Sequence, residues 1–232
     1  MSSDGKFILK IIIAILGIGL AAFLALAGNY YFRIKTGKVS SLQFTKSSIT
    51  VSNVSKLDAN KIMSSKAPYF GAASPELTVV MFGNFSCPYS QKSSTIFRET
   101  MIKYKDKAKF VYRDYPMDDI YPGSSYQALA GKCADEQNKF WAFYDKIYRA
   151  PKSDEKNIAA QIGLDISKFT DCLDKTKYYN DIKNDLTDGF NNGIRGTPTF
   201  FFIKKGYENE PLKIEGAMTK EIFEKIMEGL LK

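Results

Sequence analysis

The segment Phe85–Ser90, Phe-Ser-Cys-Pro-Tyr-Ser, places a cysteine between a strand and a helix. The run before it, Leu77–Phe82, is β-branched and aromatic, as is typical of a strand. Residues 91–103 carry apolar side chains at the spacing of an amphipathic helix. Pro88 occupies the first helical position, where a missing N–H is harmless. The free N–H groups and positive dipole end of that helix favour a thiolate on Cys87, which predicts a reactive cysteine rather than an inert buried one.

The position three residues after Cys87 is Ser90 and not a second cysteine. A Cys-x-x-Ser segment cannot close a disulfide within itself, although its hydroxyl can hydrogen-bond a thiolate. The sequence therefore predicts chemistry that depends on a single active thiol.

The chain contains no histidine among its 232 residues. A Cys–His dyad, a Ser–His–Asp triad and histidine-ligated metal sites are therefore excluded from this chain. Its three cysteines are too widely spaced for a zinc site, and we expect neither a metal nor another cofactor. The net charge of +8 would suit an anionic partner. Because the lysines are scattered and no nucleic-acid-binding signature occurs, we expect no binding to nucleic acid.

The N-terminal sequence predicts a short tail over residues 1–10 and a transmembrane anchor over residues 11–32. Ile11–Gly28 is an uncharged run of 18 residues, at the lower end of the length that spans a membrane. A cleaved signal peptide is the alternative, because Ala25-Leu-Ala27 fits a cleavage site. Single N-terminal anchors usually act as export signals, so we expect a single-pass protein whose domain lies on the extracytoplasmic side of the cell membrane.

Residues 33–75 predict a linker, because their central part is rich in Ser, Thr, Asn and Lys. Residues 76–232 predict one α/β domain. It begins with the order strand, helix, strand, which favours a parallel pair with a crossover helix. A helical section follows over about residues 117–192, in which residues 124–149 predict one continuous helix.

The chain then reaches Thr197-Pro198 at the mouth of an apolar strand. Proline there cannot lie in the middle of a sheet, and a cis peptide bond in a tight connection is the natural prediction.

Four segments occur in a characteristic order along residues 76–232. They are Phe85–Tyr89, Tyr112–Pro116, Lys132–Trp141 and Gly193–Phe200. Together they resemble the DsbA-type thioredoxin-like proteins, in particular the membrane-anchored group typified by BdbD and related bacterial disulfide oxidoreductases. The resemblance implies an α/β thioredoxin-like fold with an inserted helical domain, here preceded by the predicted transmembrane helix. It also implies that Cys87 is the attacking thiol and that Thr197 and Pro198 form a substrate-binding cis-proline loop beside it.

The chain departs from this family pattern at three positions. Ser90 replaces the second active-site cysteine, and Met81 stands where many members carry a buried acid that helps to move protons. Tyr89, beside Pro88 in the active-site motif, stands where the best-known members have a histidine.

A single thiol can still attack a substrate disulfide, but a second thiol from the substrate, a small molecule or a partner protein must release the product. We therefore expect an isomerase-like or reductase-like thiol–disulfide exchange protein. It would act on proteins that bear thiols or disulfides, with an unidentified redox partner. The alternatives are a redox-inactive peptide-binding or chaperone module, and a trap or scaffold in a membrane complex.

Cys133 and Cys172 both fall in the predicted helical section. A structural disulfide between them would leave Cys87 as the odd reactive thiol, a pattern that suits an exported redox protein. Two unbonded core cysteines, or a second redox centre that resolves Cys87, are the other interpretations.

Overall fold

The computed structural model describes residues 50–53, 58–150 and 154–232. In these ranges the strands are β1 (Thr50–Asn53), β2 (Tyr69–Gly71), β3 (Leu77–Gly83), β4 (Ala108–Asp114), β5 (Thr199–Lys204) and β6 (Leu212–Glu215). The helices are α1 (Ala59–Met63), α2 (Pro88–Tyr104), α3 (Ser124–Asp135), α4 (Phe140–Arg149), α5 (Glu155–Gln161), α6 (Ile166–Asp174), α7 (Tyr179–Asn191) and α8 (Lys220–Leu230).

The six strands form one mixed sheet in the order β1-β6-β5-β3-β4-β2. Strands β3 and β4 run parallel and are connected through α2, which is the crossover arrangement that the sequence predicts. The other neighbouring pairs are antiparallel. All seven residues of β3 are buried, so the strand at the centre of the domain is covered on both faces.

The side chains of β3 alternate between two apolar clusters, one on each face of the sheet. Val79 and Met81 belong to the larger cluster, which also contains buried residues of α2, α8 and the inserted helices. Val80 and Phe82 belong to the smaller cluster, together with Ile62 of α1. The inserted helices thus share the larger core with the sheet and do not build a separate one.

A disulfide joins Cys133 of α3 to Cys172 of α6, with a Cα–Cα distance of 5.9 Å. It connects two of the inserted helices and leaves Cys87 as the free cysteine of the chain. Both bonded residues are buried in the larger core.

The prediction of one continuous helix over residues 124–149 is wrong. Helix α3 ends at Asp135 and α4 begins at Phe140. Between them Asn138 has φ 59°, a left-handed conformation that asparagine tolerates better than most residues. The apolar pattern continues across this break because both helices face the same core.

The predicted linker over residues 33–75 is wrong in its C-terminal part, where β1, α1 and β2 belong to the domain. Strand β2 pairs with β4, and Ile62 of α1 is fully buried. Such short elements have little periodicity of their own and are stabilised by the domain on which they pack. The predicted tail and anchor over residues 1–32 lie outside the described residues. Within the described part of the chain, no helix is both long enough and apolar enough to cross a membrane.

We expect the Cys133–Cys172 bond to stabilise the fold mainly by restricting the unfolded chain. The two residues are 39 positions apart, and loops of this size correspond to a loss of about 2–4 kcal/mol in the free energy of unfolding when the bond is removed. Urea denaturation of a C133A/C172A double variant measures this loss, with C87A as the matched control that retains the disulfide. A double variant as stable as C87A would contradict the expectation.

Candidate active site at the start of helix α2

Cys87 is the N-cap residue of α2, with an extended backbone conformation (φ −81°, ψ 122°) and Pro88 directly after it. Its thiol donates to the carbonyl oxygen of Thr197 at 3.2 Å. Only 2% of Cys87 is exposed. The sulfur thus lies at the positive end of a 17-residue helix and against the segment that precedes β5.

The Thr197–Pro198 peptide bond is cis, at the entrance to β5. The carbonyl oxygen of Pro198 accepts from the Gly216 N–H at 2.8 Å, which fixes the loop to the end of β6. Thr199 Oγ1 donates to the Gly196 carbonyl at 2.8 Å and closes the turn from within. The structure therefore places Cys87 and Thr197 in direct contact although they are 110 residues apart in the sequence.

Ser90 lies in the core. It is fully buried, and its hydroxyl accepts from the Asn84 N–H at 3.3 Å. Within the described residues, Ser90 therefore forms no hydrogen bond with Cys87, although the sequence allows one. The first turn of α2 directs the serine side chain into the core. Tyr89, the next residue after Pro88, is 56% exposed.

Three buried tyrosines, Tyr112, Tyr144 and Tyr148, lie beneath the active-site turn. The hydroxyls of Tyr112 and Tyr148 are 3.0 Å apart, and the Tyr144 hydroxyl lies 3.7 Å from the sulfur of Met81. Burial raises the pKa of all three phenols, so they stay protonated at neutral pH. The position at which the family resemblance suggests an acid is thus occupied by a thioether in contact with a neutral phenol.

Tyr121 is a member of the site that the sequence does not reveal. It lies in the turn between β4 and α3 and is half-buried. Burial raises the pKa of Tyr121, and the neighbouring Cys87 and Tyr89 raise it further. The stretch Tyr121-Pro-Gly123 predicts only a turn, because nothing in its local pattern indicates which residue the turn brings close to the sulfur.

A buried ion network joins the end of β4 to the inserted helices. Arg113 contacts Asp185 at 2.7 Å and Asp188 at 2.8 Å, and Lys132 contacts Asp185 at 3.0 Å and Asp114 at 3.4 Å. Burial raises the pKa of Asp114 to about 7, against the lowering effect of Lys132. The network fixes α3 and α7 to the strand that leads into the Tyr121 turn.

Fold and site together define a thioredoxin-like domain with a helical insertion, as the sequence predicts. The family model described as Thioredoxin matches residues 64–226. The chain therefore belongs to the thioredoxin family.

Solved structures show the same DsbA-like form of this fold. The thiol-disulfide exchange protein α-DsbA2 from Wolbachia pipientis is 19% identical with a TM-score of 0.62, and the match covers 74% of this chain and 90% of that protein. Oxidised BdbD from Bacillus subtilis is 19% identical with a TM-score of 0.58, over 71% of this chain and 91% of that protein. At these identities the likeness shows the fold alone.

Curated relatives match a smaller part of the chain. The Na(+)/H(+) antiporter NhaA 3 from Salinispora tropica is 28% identical over 135 residues, which are 56% of this chain and 21% of that protein. The chain thus spans about a fifth of the length of the curated relatives that it matches.

The raised pKa of Asp114 predicts a contribution to stability that falls as the pH rises. Its carboxyl binds a proton more tightly in the folded state (pKa about 7) than at the ordinary value of 3.8. This contribution is therefore fully present below about pH 4 and is lost as the pH rises through about 7. Through this group the free energy of unfolding changes by at most about 1.4 kcal/mol per pH unit.

Urea denaturation of the D114N variant between pH 4 and pH 7.5 should show a flatter pH dependence than the wild type. Asp106→Asn, at an exposed position, is the matched control and should keep the wild-type slope. An unchanged slope in D114N would contradict the assignment of the titrating group.

Proposed function

We propose that this protein is a membrane-anchored thiol–disulfide exchange protein of the DsbA type that acts through Cys87 alone. The observation that carries the proposal is the contact between Cys87 Sγ at the start of α2 and the carbonyl of Thr197 in the cis-proline segment. A nucleophilic sulfur and an extended backbone edge lie side by side there. This pair is what a protein needs to bind a peptide and attack its disulfide.

In the proposed reaction the Cys87 thiolate attacks one sulfur of a substrate disulfide. The substrate S–S bond breaks, a bond forms between Cys87 and the attacked sulfur, and the other substrate sulfur leaves as a thiolate. A second thiol then attacks the mixed disulfide and returns Cys87 as a thiolate. No electrons are gained or lost by the chain, which therefore catalyses isomerisation, or reduction when external thiols supply the electrons.

The Thr197 carbonyl supports a role in substrate binding. It accepts from the Cys87 thiol in the structure, and it becomes available to a substrate N–H when that thiol loses its proton. A substrate backbone that pairs there would extend along the start of β5, as in recognition by β-strand addition. The proposed substrates are therefore proteins with an extended segment around a disulfide or thiol.

Two features support an extracytoplasmic location. The disulfide between Cys133 and Cys172 is of a kind that persists in oxidising compartments. The uncharged run of 18 residues, Ile11–Gly28, suits a membrane anchor.

The location is tested with an alkaline phosphatase fusion after Lys232 in a bacterial host, because that enzyme is active only after export. We expect an active fusion. The same fusion without residues 1–32 is the control that should stay inactive. An inactive full-length fusion would overturn the proposed orientation.

The exchange reaction is tested by intact-mass analysis of the protein after incubation with glutathione disulfide. We expect wild-type protein to gain one glutathione on Cys87, and C87A, the matched control, to gain none. Glutathione added in its reduced form should release the adduct. A wild-type protein that forms no adduct would contradict the proposal and favour the peptide-binding alternative.

The S90C variant tests why the wild-type adduct persists. A thiol at this position lies one helical turn from Cys87 and should attack the mixed disulfide within the molecule, where effective concentrations far exceed those of a free thiol. We therefore expect S90C to release glutathione and to accumulate no adduct. An adduct as persistent as that of the wild type would show that this position cannot reach the active sulfur.

A further inference from the structure

The cis-proline segment, residues 193–198, is attached at both ends to strand β6, and a buried lysine makes the attachment at its start. We propose that Lys213 is a positioning residue that holds this segment where the Thr197 carbonyl can pair with the backbone of a peptide substrate. The inference rests on the proposed function, because it concerns how the same segment binds that substrate.

The Lys213 ammonium lies directly against the start of the segment. Its Nζ donates to the Gly193 carbonyl at 2.5 Å. A Cβ atom on Gly193 would lie in van der Waals contact with the same nitrogen, at 3.6 Å. Gly193 has φ 71° and ends the last turn of α7, where its N–H donates to the Phe190 carbonyl at 3.0 Å. Lys213 therefore holds the point at which α7 gives way to the cis-proline segment.

The other end of the segment is held by the continuation of the same strand. The Pro198 carbonyl accepts from the N–H of Gly216, the residue that directly follows β6. In the pairing of β5 with β6, Thr199 lies opposite Glu215. Both ends of the segment are thus fixed to one short stretch of backbone, which sets the position of Thr197 between them.

Glu215 compensates the charge of the buried ammonium. The side chain of Lys213 is only 6% exposed, and Glu215 Oε1 lies 2.6 Å from its Nζ. The two residues lie on the same face of β6, because side chains alternate along a strand. An isolated ammonium would be unfavourable at this position. The Glu215 side chain is 29% exposed, so it can pair with the lysine and still remain partly hydrated.

An apolar side chain at position 213 would suit the core equally well. Lys213 lies opposite Phe201 in the register of β5 and β6, and Phe201 belongs to the smaller apolar cluster. Replacing a buried ion pair by apolar residues of similar volume often leaves stability unchanged or raises it. We therefore attribute the lysine to the carbonyl that its ammonium holds and not to a gain in stability.

A contact from the end of β4 limits the effect that loss of the ammonium can have. The Tyr115 hydroxyl donates to the Ile194 carbonyl at 2.9 Å, and this hydrogen bond does not involve Lys213. Loss of the ammonium should consequently loosen the segment without releasing it. We expect slower reaction with peptides rather than complete loss.

The test compares the reactions of the full-length protein with two disulfides. One is the disulfide-linked dimer of an extended peptide of about eight residues with a central cysteine, which can pair along β5. The other is bis(2-hydroxyethyl) disulfide, which has no backbone N–H to donate to Thr197. In each reaction Cys87 attacks one sulfur, one half of the disulfide stays bound to Cys87, and the other half leaves as a thiol. Intact-mass analysis measures both rates.

K213M keeps an unbranched side chain and loses the ammonium. We expect its rate with the peptide dimer to fall about tenfold, as for the loss of one charge-assisted hydrogen bond, and its rate with the small disulfide to stay unchanged. K213R retains a cationic donor and should keep the peptide rate closer to that of the wild type. K205M, the same change at an exposed lysine that directly follows β5, is the matched control and should leave both rates unchanged.

E215Q is a second variant that decides the matter if K213M fails to fold. It leaves the lysine in place and removes the charge that pairs with it. We expect a smaller fall in the peptide rate alone, and an unchanged peptide rate in a K213M that folds, or in E215Q if K213M does not, would overturn the inference.

The outcomes separate this inference from the proposed function. If K213M lowers both rates by the same factor, the lysine has no selective effect on peptide binding, and the inference is overturned while the exchange function stands. If the wild type itself forms neither adduct, the proposed function fails and this inference fails with it.

Discussion

The antiparallel pairing of β3 with β5 is the constraint on which the site depends. Phe82 lies opposite Thr199 in this register, so β3 ends where β5 begins, at one edge of the sheet. Cys87 follows the end of β3 by four residues, and Pro198 precedes β5 by one. The backbone hydrogen bonds between two buried strands thus bring together residues that are 110 positions apart in the sequence. The first turn of α2 needs no other long-range contact to lie beside the cis-proline segment.

The ion network is the second constraint, because it decides where the insertion lies on the sheet. Asp185 of α7 forms salt bridges with both Arg113 of β4 and Lys132 of α3, so one carboxylate connects three elements. Burying these charges is unfavourable unless each is paired, and the structure pairs them while leaving Asp114 with a raised pKa. Since Ser86 donates to Gln127 of α3, the same network also positions the helix that packs beside the active-site segment.

The sequence predicts what depends on local patterns. Cys87 before Pro88, after an apolar strand, is sufficient to place the thiol at a helix start, and Thr197-Pro198 before an apolar run is sufficient to predict the loop. The break at Asn138 is not predictable from periodicity, because the same core covers both helices and the apolar pattern runs through. The docking of α3 on the active-site segment and the burial of Ser90 against Asn84 depend on contacts that only the tertiary structure supplies.

The presence of a buried serine, Ser90, in place of a second cysteine affects the kinetics of the proposed exchange. In a protein with two neighbouring thiols, the covalent intermediate decays at a rate that the protein itself sets. Here the lifetime of that intermediate would scale inversely with the supply of reductant in the surroundings, because the fold provides no internal sulfur to end it. Such a protein would remain covalently bound to its substrates when thiols are scarce and would release them when thiols are abundant. The fraction of the protein in the mixed-disulfide form would therefore follow the redox state of its compartment.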